Sequence, residues 1–190
     1  MMKKLISLSI ILLLLAACST SPRNSYYTLT PLAPLPSGKA STTVPSIAIV
    51  SVTLPELVDR PHLVVAASDS KVDILEFHRW AESLKASIPR VMVDNLSRLL
   101  GSERVSSYPQ VAALDATLLL YVDFQGFSVS DGVASMDVLW SLKDGGKIVH
   151  NGRSRSVQKL SGGHETVADA YSRALVVVCS DIAGAVSGIK

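Results

Sequence analysis

The sequence predicts a single α/β domain: a sandwich of one mixed β-sheet with two long helices packed on it. Two observations predict this. Apolar residues fall in β-branched runs or in alternation over residues 47–77 and 117–160, and at steps of three and four over residues 80–99 and 167–186. The resulting order of strands, helix, strands, helix is that of helices lying on a sheet.

A targeting segment comes first. Lys3 and Lys4 form a positive start, residues 5–15 an apolar run, and Leu15-Ala16-Ala17-Cys18 a box of small residues. That run of 11 residues is shorter than the roughly 20 a spanning helix needs. The box resembles the bacterial lipoprotein signal. The resemblance implies thioether lipidation of Cys18, cleavage before it, and palmitate-type acylation of the new amino terminus. An ordinary secretory signal with Cys18 as a structural thiol competes, but small residues directly before the Cys and the polar STSPRNS after it favour the lipoprotein reading. Two or more lipid chains anchor a protein firmly where one holds it marginally. Ser19 stands where inner-membrane retention usually shows Asp, which favours the outer membrane and its periplasmic face.

The expected organisation is a signal peptide over 1–17, a lipidated tether over 18–25 and one domain over 26–190. Removing 17 of 190 residues leaves 173, enough for a single good core. Removing Lys3 and Lys4 lowers the basic count from 18 to 16, equal to the 16 acidic residues. A formally neutral chain lacks the main driving force for nucleic-acid binding. With Cys18 lipidated, Cys179 has no partner within the chain, and its run ALVVVCSDIAG predicts a buried, inert thiol.

Each element follows in order. Residues 26–29 (YYTL) have strand composition, and residues 31–45, rich in Pro, Gly, Ser and Thr, read as a surface loop. Residues 47–54 (IAIVSVTL) are apolar on both alternating sets, as in a strand buried on two faces. Residues 63–67 and 72–77 read as a hairpin turning at 68–71. From His78 the period becomes helical through Trp80, Leu84, Ile88, Val91, Asn95, Leu96 and Leu99, with Gly101 as the stop. Pro89 is expected to kink this helix or divide it, the second part beginning near Ser87.

Residues 117–124 form a buried strand. Ala134, Met136, Val138, Trp140 and Leu142 alternate with a wet set broken only by Leu139, and the turn at 144–147 leads into a polar strand over 148–160. That strand carries Arg153, Arg155 and Lys159 on one alternating set. Gly162-Gly163 opens a helix with the inner stripe Val167, Tyr171, Ala174, Leu175, Val178, Ile182 and Val186.

Catalytic patterns are missing from the sequence. His164-Glu165 has no second His four residues on, Gly152-Arg153-Ser154-Arg155-Ser156 lacks the second Gly of a nucleophile elbow, and SGGHET lacks the Gly-Lys of a phosphate loop and reads as a helix cap. His62, His78, His150 and His164 show no metal-ligand spacing, so no metal and no cofactor is expected. In LPELVDRPHLVV, residues 54–65, an acid-base pair of Asp59 and His62 acting on Ser68 would make a hydrolase. Pro61 instead forces Arg60 out of helical geometry, which reads as a rigid bend, with Arg60 paired to Asp59, Glu56 or another carboxylate. No catalytic residue is assigned.

The lipobox, then Tyr26-Tyr27-Thr28-Leu29, then residues 52–61 (VTLPELVDRP), then residues 78–84 (HRWAESL) and Asn95-Leu96 resemble the ABC-type transport auxiliary lipoprotein family, with its PqiC/YmbA-like members of the paraquat-inducible operon. Asp59, Arg60, Pro61 and Trp80 carry the motif as structural residues; His62 stands where a Gln is more usual. The resemblance implies an outer-membrane lipoprotein, not an enzyme, that serves a mammalian-cell-entry (MCE) type lipid transport system. Its partner would be the periplasm-spanning MCE protein, and its assembly a homo-oligomeric ring. The implied fold is similar to the TolB N-terminal domain. Arg153, Arg155 and Lys159 are the candidate docking surface. The alternative is a structural lipoprotein of another envelope or secretion complex.

Overall fold

The structure, a computed structural model, describes residues 23–31, 33–34, 44–68 and 70–189. The signal segment and Cys18 lie outside these. Four strands come first: β1 (Ser25–Tyr27), β2 (Ile47–Thr53), β3 (His62–Ser68) and β4 (Lys71–Trp80). Helix α1 (Leu84–Leu100) and the short β5 (Val105–Ser107) follow. Then come β6 (Leu118–Ser130), β7 (Val133–Asp144), β8 (Lys147–Lys159) and helix α2 (Val167–Gly188). β1 takes in Ser25, which the sequence assigned to the tether, and β5 was not foreseen.

The strands make two mixed sheets where one was expected. The larger has the order β5-β2-β6-β7-β8 and the smaller β1-β4-β3. The division has a local cause. β2 pairs in parallel with β6 only from Ile47↔Leu118 to Thr53↔Asp123, and β6 runs seven residues further, to Ser130. At the point where β2 leaves, β6 shifts register against β7 between Phe124 and Gly126. β3 then lies beside β6 without joining its ladder, and pairs with β4 instead.

Helix α1 starts six residues later than its apolar period suggested. His78 and Trp80 belong to β4, where Ser25↔His78 and Tyr27↔Trp80 are parallel partners. Ser83 caps the helix, its Oγ accepting the Ala86 N–H at 3.3 Å. Pro89 lies inside one continuous helix and does not divide it. The bond it cannot donate falls to the carbonyl of Lys85, an exposed residue that water can serve. Gly101, at φ 57°, ends the helix with its N–H on the Arg98 carbonyl, and Ser102 N–H reaches that of Ser97.

Both helices cover one face of the larger sheet, α1 over β2 and β5, α2 over β7 and β8, and they pack on each other. The inner stripe of α2 is buried throughout, as its period predicted. This stretch, His164–Gly188, has the length and composition to cross a membrane, yet its apolar side is the core of the domain. Burial of each large side chain such as Ile88, Leu96, Leu175 or Ile182 contributes about 1.5–3 kcal/mol. The start of the 31–45 loop is not at the surface: Ala33 is buried, its N–H donating to Asn95 Oδ1 at 3.0 Å, and Arg98 donates to the carbonyls of Pro31 and Ala33. Asn95, polar on a buried stripe, needs such a partner.

Candidate functional site

The LPELVDRPHLVV stretch is a turn built from backbone bonds. Val58 and Asp59 N–H groups donate to the Pro55 carbonyl at 3.0 and 3.3 Å, and Arg60 N–H to that of Val58 at 2.8 Å. Val58, 6% exposed, points its side chain into the core. The Trp80 N–H donates to the Pro61 carbonyl at 2.7 Å, so the bend at residues 59–61 and the Trp80 segment meet directly. The Trp80 ring packs 6.2 Å from Tyr171, which lies 4.0 Å from Phe127, beside a void of about 10 Å³. Burial in this cluster pushes the Tyr171 phenol up.

One expectation for this stretch is corrected, and the competing hydrolase reading finds no support. Arg60 makes no ion pair among the described residues; the Asp59 carboxylate is taken by Lys85 Nζ at 2.5 Å. His62 opens β3 and Ser68 closes it, which separates them by about 20 Å of strand. A triad of Asp59, His62 and Ser68 cannot assemble on that geometry.

The fold brings two of the four histidines together. His78 Nδ1 and the Tyr27 hydroxyl are hydrogen-bonded at 2.7 Å, and the His164 ring meets His78 edge-on at 5.4 Å. His150 stacks on Trp140 at the other end of the sheet. Among the described residues no three His, Cys, Asp or Glu side chains gather as metal ligands. The SGGHET turn caps itself, Glu165 Oε1 accepting the Gly163 N–H at 2.9 Å and Thr166 Oγ1 donating to the Gly163 carbonyl. Cys179 is free and wholly buried, and burial pushes its thiol well up, with the Asn95 side chain opposing.

The helix-free face of the larger sheet is the most organised polar surface. Asp137 on β7 stands opposite Arg155 of β8, with Arg153 on the diagonal. Arg153 Nε and Nη2 donate to Asp137 Oδ1 and Oδ2 at 2.7 and 2.6 Å, and Arg155 Nε to Oδ2 at 3.2 Å. The Arg153 hydrogen bonds hold the Asp137 carboxyl down at about 2, against burial and with help from Arg155. Lys143 Nζ lies 4.8 Å from the centre of the Tyr121 ring on the same face, and Leu139 is 39% exposed there. The predicted basic stripe is therefore not three free charges. Its two arginines share one carboxylate, and of these three residues only Lys159 has no ion pair among the described residues.

Asp137 and Lys85 were not singled out from the sequence. Asp137 could be placed on the wet set of its strand, but its partners depend on a register shift between Leu142 and Lys143. Lys85 lies 26 residues from Asp59, and no local signal joins them.

The two helices thus cover one face of the larger sheet, and the other face carries the Asp137-Arg153-Arg155 network. The family described as ABC-type transport auxiliary lipoprotein component matches residues 27–183. The chain belongs to that family, whose members are lipoprotein components of transport systems. No curated protein matches significantly. A crystal structure of an uncharacterised protein is similar with a TM-score of 0.70 and 22% identity, over 87% of this chain and 99% of that one. Protein XCC0632 from Xanthomonas campestris, of the family DUF330, is similar with a TM-score of 0.67 and 14% identity, over 84% and 93%. At these identities they establish the mixed α/β fold alone. A PelC dodecamer from Paraburkholderia phytofirmans aligns over 85% of this chain and 96% of its own at 13% identity, but its TM-score of 0.45 supports no argument about assembly. The likeness to the TolB N-terminal domain rests on sequence resemblance alone.

Proposed function

We propose that the chain is a non-enzymatic accessory lipoprotein of an MCE-type intermembrane lipid transport system. It is anchored through Cys18 in the outer membrane, faces the periplasm, and docks as a homo-oligomeric ring on the periplasm-spanning MCE protein. The observation that carries this reading is the family match over residues 27–183, joined to the Leu15-Ala16-Ala17-Cys18 box immediately upstream of the tether. The open face of the larger sheet suits docking. Its Asp137-Arg153-Arg155 network is held in place by three hydrogen bonds, which lowers the ordering cost of a contact. Lys159 adds a charge that a partner carboxylate or a lipid phosphate can neutralise.

Envelope integrity is the cellular readout. Deleting this lipoprotein should raise detergent sensitivity in a background already weakened in its MCE partner. Unchanged sensitivity in both single and combined deletions counts against the reading.

A further inference from the structure

The β3–β4 hairpin presents apolar side chains to solvent at an end of the domain that the tether identifies. Val72 and Ile74 are 39% and 44% exposed, and they stand opposite Ala66 and Val64 as cross-strand partners. The neighbouring Val65 and Leu75 pack on the core, so one side of the hairpin is held and the other faces outward. The tip itself is polar, with an ion pair between Lys71 and Asp73 at 3.8 Å.

The direction of the tether follows from β1. Because β1 is parallel to β4 with Ser25 opposite His78, the chain before Ser25 approaches from the side on which β4 begins, the side of the hairpin tip. Cys18 precedes Ser25 by seven residues, and Lys71 precedes His78 by the same number. At about 3.3 Å per residue each span is at most about 23–25 Å. A lipid anchor at Cys18 thus cannot lie appreciably farther from Ser25 than the hairpin tip does. The β6–β7 turn lies at the same end, where Ser130 and Asp131 face Ala66 and Ser68 across an open cleft.

We propose that the β3–β4 hairpin rests on the surface of the bilayer that holds the Cys18 lipids, with Val72 and Ile74 in the interfacial layer. The inference rests on the lipidation of Cys18. Apolar side chains on an anchored element partition about 5–10 Å into the headgroup boundary, a depth that Val72 and Ile74 can reach from the tip. A second contact of this kind fixes the orientation of the domain on the bilayer. It also holds the β7–β8 turn, at the opposite end of the sheet, away from the membrane.

The test uses the full lipoprotein in vesicles of phosphatidylethanolamine and phosphatidylglycerol. An environment-sensitive fluorophore is attached at Ile74→Cys, at Val72→Cys and, as control, at Val149→Cys beside the β7–β8 turn; the buried Cys179 stays unlabelled. With lipids spin-labelled near the headgroup, the probes at 72 and 74 should lose most of their emission while the probe at 149 keeps its own. N-terminal mass and vesicle flotation are measured on the same samples. If the protein is acylated and floats but 72 and 74 behave like 149, the hairpin proposal fails and the anchor stands. An unacylated Cys18 removes both.

Discussion

Asp59 and Lys85 form an ion pair at 2.5 Å that ties the bend after β2 to the first turn of α1. The helix has no acidic residue in that turn, and Lys85 places a positive charge at its positive end. Asp59 supplies from another segment the negative charge that the helix start favours. The bend is therefore a clamp: Pro61 accepts from Trp80 on one side, and Asp59 holds α1 on the other.

Asp59→Asn should lower stability by about 0.5–1 kcal/mol, because the pair is partly exposed and acts together with the helix end. Urea unfolding at low and high salt checks it. The loss should shrink at high salt, and an unchanged midpoint at low salt would assign the clamp to the backbone bonds alone.

Trp140 depends on β8 in two ways. Its Nε1 donates to the buried Ser154 Oγ at 3.0 Å, and its ring lies where a Cβ on Gly152 would come within 2.0 Å of Cζ2. Ser154→Ala leaves a buried N–H without its acceptor and should cost about 1–3 kcal/mol. Gly152→Ala should cost a comparable amount by overpacking. Thermal unfolding with tryptophan fluorescence reads both; a neutral Gly152→Ala would mean that the indole moves aside freely.

Asp137 makes stability depend on pH. Its carboxyl is pulled from an ordinary 3.8 down to about 2, chiefly by the Arg153 hydrogen bonds. A group with a depressed folded value stabilises the fold above its unfolded value and ceases to do so as pH falls through the folded one. Wild type should therefore exceed Asp137→Asn in stability by a constant margin above about pH 4, and the margin should close towards about pH 2. Denaturant midpoints of the two proteins across this range measure it. A margin independent of pH contradicts the assignment.

The Cys179 thiol should resist modification in the folded protein. Wholly buried, it is held in its protonated form at ordinary pH. An aromatic disulfide reagent should release little colour from native protein at pH 8 and react with Cys179 once guanidinium unfolds the chain. Rapid reaction in native buffer would place α2 nearer the solvent than described.

The regular elements were legible where periodicity is strong. The stripe of α2 and the alternation of β7 match the structure because long runs of one period bury one face. Trp80 misled because its spacing to Leu84 fits a helix, while its backbone is claimed by β1 and Pro61. The short β5 carries too few residues for a pattern. Two sheets looked like one because the point where β2 leaves β6 depends on tertiary pairing. The Asp137 network was hidden for a related reason. Counting back from the tight turn, Asp144↔Lys147, would set Asp137 opposite Ser154; the extra residue at Val149 moves it to Arg155. Only after that shift do both arginines share the face of Asp137.

We propose an MCE-type transporter as the partner of this lipoprotein, bound through the open face of the larger sheet. Affinity purification of the tagged lipoprotein from detergent-solubilised envelopes, for wild type and for Arg153→Glu with Lys159→Glu, tests it most directly. An MCE-domain protein is expected in the wild-type eluate and should be lost or strongly reduced in the double variant while the variant stays folded and acylated. Recovery of a secretion or polymer-export complex in its place, or of no MCE-domain protein at all, would contradict it.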